Sequence, residues 1–124
     1  MAATLAGKLL LKPGRRAAVV AAPAGYRLDG AEGVELVEPA AGDLDFAQVF
    51  VNSRAELDTV LAPVLPALKP EALLWVCYRK GGAKAGSDLN RDQLWAEMGE
   101  RGWTGVTLVA VDGAWSAMRF RRAG

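Results

Sequence analysis

Residues 79–87, Arg-Lys-Gly-Gly-Ala-Lys-Ala-Gly-Ser, are the densest group in this 124-residue chain with the chemistry to hold an anion. Gly81 and Gly86 have the spacing of a phosphate-binding loop. Ser87 and Asp88, however, stand where that loop needs Lys followed by Ser or Thr, which excludes nucleotide hydrolysis of that type. What survives is an anion or nucleotide-phosphate site in which backbone N–H groups at the start of the following helix act with Lys80, Lys84 and Arg91, alongside Gly81, Gly82, Ser87 and Asn90. Asp88 opposes such a site. A connection kept soluble by its lysines is the plainer reading and weighs somewhat more.

A second place of interest is Ala18–Tyr26, AVVAAPAGY, a buried strand running into the position where a nucleotide-binding domain keeps G-x-G-x-x-G. Only Gly25, next to Tyr26, is available there, and Pro23 removes a backbone donor. Elsewhere the inventory is thin. The chain has no histidine, so Ser-His-Asp and Cys-His pairs are excluded, and only carboxylates and one thiol remain as metal ligands. We expect no metal site and no catalytic residue. Cys77 lies in the apolar run ALLWVCY, a setting that raises a thiol pKa, and reads as core packing.

Bulk composition sets the limits. The length suits one domain, 1–124, with residues 1–12 as an N-terminal arm, and 52% hydrophobic against 23% charged residues suffices for a core. A net charge of +1 gives no global field toward nucleic acid or an anionic membrane. The basic ends KPGRR and RFRRAG are short and lack interleaved aromatics, so nucleic-acid binding is disfavoured. The apolar run at 9–11 is too short for a membrane span, and the single cysteine fits a reducing, cytoplasmic setting.

The elements that position these groups follow from periodicity. Strands are expected from Arg15 (RRAAVVAA), from Gly33 (GVELVEP), over 45–51 and over 72–78, the last apolar throughout as in a sheet covered on both faces. The connection between the first two allows at most a short helical turn. Ser53 and Glu56 form a capping-box pattern for a helix to about Leu68, which Pro63 and Pro66 should kink or break between Thr59 and Pro66. A later helix takes Asp88 or Asn90 as N-cap, stops at Gly102, and turns Leu94, Trp95 and Met98 inward. VTLVAV, Asp112-Gly113 and AWSAMRF predict a hairpin with a two-residue turn. Trp75 and Trp95 read as core, and Trp103 and Trp115 as residues near element ends, positions that allow exposure. The fold class expected is α/β: a three-layer, mostly parallel Rossmann-like sheet of about six strands with a C-terminal antiparallel hairpin.

LKPGRRAAVVAAPAGY, LDFAQVFVNSRAELDTVLAPVLPALKPEALLWV and the terminal hairpin together resemble a shortened class I S-adenosylmethionine-dependent methyltransferase fold. APAGY after the first strand and K-G-x-x-K…DLNRD-x-LW after the central one are also similar to short bacterial proteins of unknown function that share this trimmed fold. The resemblance covers most of the chain and implies a cofactor site at the first loop. It also implies a ribose-binding role for Glu38, which closes the second strand. The family pattern D-x-G-x-G-x-G is not met. The expectation is therefore a non-catalytic binding or protein-interaction domain on a degenerate methyltransferase-like scaffold, without a cofactor, whose partner is another protein or a second copy. A S-adenosylmethionine-dependent methyltransferase, and the anion binder at 79–87, are the alternatives.

Overall fold

The apolar run after Arg16 forms β1 (Arg16–Val20), and the next strand, β2, is only Glu35–Leu36, both residues exposed. The computed structural model describes residues 4–81, 84 and 86–123. The further elements are α1 (Leu5–Lys8), β3 (Leu44–Phe50), α2 (Leu57–Leu61), β4 (Leu68–Arg79), α3 (Arg91–Glu100), β5 (Trp103–Ala110) and β6 (Trp115–Arg122). The sheet has six strands in the order β2-β1-β3-β4-β6-β5. β1 pairs in parallel with β2 and β3, β3 in parallel with β4, and β6 runs antiparallel between β4 and β5. The expected mostly parallel, Rossmann-like sheet with a closing antiparallel hairpin is the observed one.

Strand periodicity sorts the core into two halves. Leu74, Val76 and Tyr78 of β4 join Leu57 and Leu61 of α2 and Leu94 and Met98 of α3 on one face. Trp75 and Cys77 point to the other face, where Ala6, Leu9 and Leu11 and the β1–β2 connection cover them. Trp75 Nε1 donates to the Leu9 carbonyl at 2.9 Å, tying the N-terminal segment to the central strand. No regular helix crosses between β1 and β2: the connection is turns, as its prolines and glycines require.

Several local expectations are corrected. The helix after β3 is broken into a 3-10 turn (Arg54–Glu56), α2, and a second 3-10 turn (Leu65–Ala67). The break falls within the expected window because Pro63 and Pro66 cannot donate to the preceding turn. Ser53 makes no cap bond; instead Glu56 Oε1 accepts the Asn52 N–H at 3.2 Å. The hairpin closes at Val111 and Trp115, whose N–H and carbonyl meet at 3.0 Å, so its loop has three residues rather than two. Asp112 Oδ1 accepts the Ala114 and Trp115 N–H groups at 2.8 and 2.9 Å, and this side-chain turn replaces the backbone one.

Three tryptophan assignments differ from expectation. Trp95 is 47% exposed, because the buried stripe of α3 runs through Leu94 and Met98 and the next residue is rotated about 100° away. Its ring lies on Gly105, where an added Cβ would come within 3.0 Å. Trp103 and Trp115 are buried, each with a guanidinium over its ring: Arg122 at 4.6 Å and Arg79 at 4.9 Å. Neither arginine is a sequence neighbour of its tryptophan.

Candidate functional site

Parallel α/β sheets bind ligands outside the carboxyl ends of their strands, and here those ends are Ala21, Val37, Val51 and Lys80. The loop after β1 turns at Pro23–Tyr26, with the Tyr26 N–H donating to the Pro23 carbonyl at 3.1 Å and Gly25 at φ 79°. This left-handed position is the reason a glycine is needed there. The turn folds Tyr26 back onto the sheet. Its ring meets Phe50 edge-on at 4.9 Å, and Phe50 meets Trp115 at 5.1 Å. The Tyr26 phenol donates to Gln48 Oε1 at 2.8 Å, and Gln48 Nε2 reaches Cys77 Sγ at 3.4 Å. Gln48 and Cys77 are fully buried. Burial pushes the Cys77 thiol up to about 12 and the Tyr26 phenol above its ordinary value, so at neutral pH both keep their protons. The chain Tyr26–Gln48–Cys77 is thus a packed, neutral filling over the carboxyl-terminal halves of β3 and β4.

Glu38 lies where the sequence placed it, just past β2 and exposed, at the N-terminus of the 3-10 turn Pro39–Ala41, with no capping bond from its side chain. Its carboxylate faces solvent.

In the loop after β4, Lys80, Lys84 and Arg91 are exposed, and the Lys84 N–H bonds the Gly81 carbonyl at 3.0 Å. Gly82 lies outside the described residues. Two of the polar residues assigned to an anion instead hold the loop in place. Ser87 Oγ donates to the Asn52 carbonyl at 2.9 Å and accepts the Leu89 N–H at 3.2 Å. Asn90 caps α3, accepting the Gln93 N–H at 2.8 Å while Gln93 accepts the Asn90 N–H at 3.0 Å. Asp88 Oδ1 takes the Arg54 N–H at 2.8 Å, and Arg79 Nε donates to Asn52 Oδ1 at 3.2 Å. The loop is therefore fastened to the end of β3 through Asn52 and Arg54, while Arg91 is paired with Asp92 at 3.4 Å.

The sequence reading missed a cleft of about 720 Å³ at the opposite, amino-terminal ends of β1, β3 and β4, between Leu10–Lys12 and Lys69–Leu73. Asp45 lies in its wall. One carboxylate oxygen accepts the Arg16 N–H at 2.9 Å and the other Lys69 Nζ at 3.0 Å, and these bonds, the backbone one first, lower its pKa. The one available signal was Pro70, which is foreign to a regular central strand.

No protein-family model and no curated protein sequence matches the chain. Solved structures do. A S-adenosylmethionine-dependent methyltransferase from Thiobacillus denitrificans, in complex with S-adenosyl-L-homocysteine, superposes with a TM-score of 0.59 at 11% identity over 95% of this chain and 89% of its own. A TehB-like S-adenosylmethionine-dependent methyltransferase from Corynebacterium glutamicum gives 0.58 at 12% identity, covering 93% and 84%. The fold is similar to that of these methyltransferases. LepI in complex with S-adenosylmethionine gives 0.58 at 17% identity, and the chain spans 39% of that protein's length. At these identities the likeness is one of fold. The methyltransferase-like scaffold is thus reached with a β1–β2 connection that holds no regular helix. Among the described residues, no helix is long and apolar enough to cross a membrane.

Proposed function

We propose that this chain is a non-catalytic binding domain on a methyltransferase-like scaffold. The observation that carries the reading is the Tyr26–Gln48–Cys77 chain, which spends the loop after β1 on covering the sheet with the protein's own side chains. A cofactor loop needs its backbone free to approach a ligand, and here Pro23 lacks a donor while the Tyr26 N–H is used in the turn. The chain has no histidine, and the Cys77 thiol keeps its proton at neutral pH, so neither an imidazole base nor a thiolate nucleophile stands in this filling. The contact surface in this reading is the outer edge of β5, whose partner is a second copy of the chain.

Methyl transfer is the second reading. It is favoured by the S-adenosyl compounds bound in structures of the same fold and by the exposed Glu38 carboxylate past β2. Calorimetric titration with S-adenosylhomocysteine and S-adenosylmethionine decides between the two. No heat of binding is expected up to millimolar ligand. Saturable binding that Glu38→Ala weakens at least tenfold would replace the binding-domain reading with the enzymatic one.

A further inference from the structure

Two departures from regular backbone meet at the amino-terminal end of the sheet. Leu10 follows the C-terminus of α1 with φ 64°, the left-handed region that helix ends ordinarily fill with glycine and that a bulky side chain enters at a cost. Its surroundings are those of a helix stop, with the Leu10 N–H on the Gly7 carbonyl at 3.1 Å and the Leu11 N–H on the Ala6 carbonyl at 2.9 Å. Glycine would satisfy this geometry. The leucine does not offset the strain by burying itself, since it is 49% exposed.

Opposite it, β4 carries three more residues than β3 between the pairs Leu44–Leu68 and Phe46–Leu73, so Lys69–Ala72 stands out of the ladder. Strained residues and bulges persist where the fold enforces them, and they gather at ligand sites. Leu10 and the outstanding segment are two walls of the 720 Å³ cleft, a volume in the range of small-molecule sites.

The chemistry of the lining selects a ligand class. Leu10, Ala72 and Leu73 give an apolar wall over the buried Leu11 and Phe46, and Lys12, Arg15 and Lys69 stand against Asp45 and Glu71. Both Asp45 oxygens are already occupied, by the Arg16 N–H and by Lys69. Among the described residues Lys12 and Arg15 make no ion pair. Glu71, the remaining acid, is exposed on the outstanding segment.

We propose that the cleft binds an amphipathic monoanion, a hydrocarbon or aromatic body bearing one carboxylate, with the body on Leu10, Ala72 and Leu73 and the carboxylate on Lys12 and Arg15. The inference goes beyond the binding-domain reading and is independent of whether S-adenosylmethionine binds, because the cleft lies at the other end of the strands.

Decanoate, decanol and acetate titrated into the full-length protein by calorimetry test it. Decanoate binds saturably, and the other two bind at least tenfold more weakly, since each supplies only half of the recognition. Lys12→Glu combined with Arg15→Glu weakens decanoate at least tenfold, whereas Lys80→Glu combined with Lys84→Glu, at the opposite end, leaves it unchanged. Leu10→Gly raises the thermal midpoint by removing the left-handed strain, yet weakens decanoate several-fold. Four results would overturn the proposal: no decanoate binding, equal affinity for decanol, equal loss in the Lys80/Lys84 variant, or a Leu10→Gly protein that is more stable and binds decanoate unchanged.

Discussion

The phenol of Tyr26 donates to Gln48 Oε1 at 2.8 Å, joining a surface loop to a glutamine that is fully buried in β3. Removing the hydroxyl leaves a buried amide oxygen without a donor, which costs about 1–3 kcal/mol. Tyr26→Phe therefore unfolds at lower urea, with a thermal midpoint roughly 3–6 °C lower per kcal/mol. Tyr26→Phe combined with Gln48→Leu, which removes donor and acceptor together, is closer to wild type than Tyr26→Phe alone. If both variants match wild type, the hydrogen bond contributes nothing to stability.

Alkaline pH acts on the same chain. Burial raises the Cys77 thiol to about 12 and lifts the Tyr26 phenol. In the unfolded chain these groups titrate near 9 and 10. Between the unfolded and folded values the native state holds more protons, so this contribution to stability is complete below about pH 9 and is lost as pH rises toward 12. Urea midpoints measured from pH 8 to 11 fall with pH, and Cys77→Ala falls less steeply. Iodoacetamide leaves Cys77 unmodified at pH 8 while the protein is folded.

Acid removes a different set of bonds. The Arg16 N–H and Lys69 hold Asp45 below the ordinary carboxylate range, and Arg101 does the same for Asp58. Their contribution is present above the unfolded value of 3.8 and is lost as pH falls through the lower folded values. Asp45→Asn reduces stability at pH 7 and flattens its decline below pH 4, as read from thermal midpoints across that range.

Ser87 and Asn90 are expected to report on stability rather than on a ligand. Asn90→Ala removes the α3 cap at about 1 kcal/mol. Ser87→Ala, which strips a buried bridge between the Asn52 carbonyl and the Leu89 N–H, costs about 1–3 kcal/mol. Phosphate or pyrophosphate binding that is lost in these variants and in Lys84→Ala, and weakened by salt, would establish the anion reading of the loop.

The two sheet edges differ in a way that predicts assembly. β2 is two residues long and is followed by Pro39, devices that discourage edge pairing. β5 runs for eight residues without charge or proline, interrupted by a bulge between Gly105 and Thr107, and Val106 and Leu108 are 40% and 45% exposed beside Trp95. Arg91 and Asp92 border the same patch. A two-fold pairing through Leu108 would set each of these charges against its opposite in the second copy. Sedimentation velocity shows a dimer that Leu108→Lys converts to monomer; a monomeric wild type at 100 µM removes this surface from the reading.

Much of the fold was legible in the sequence, because strand and helix identity follow from neighbours two to four residues apart. The apolar run 72–78 marked the central strand, Asp88 or Asn90 and Gly102 bounded α3, with Asn90 the observed cap, and Pro63 and Pro66 located a break. Glu38, Lys80, Lys84 and Arg91 were placed at the ends of the correct elements. What those groups touch was not legible. Arg122 over Trp103, Arg79 over Trp115, Tyr26 on Gln48 and Ser87 on Asn52 each join residues 19 to 36 positions apart, and sheet register decides which of them meet. The cleft depends on register too, since it needs the strained Leu10 and the outstanding residues of β4 to face one another. Periodicity carries the burial of a face; only the tertiary structure brings a side chain from one strand against a loop from another.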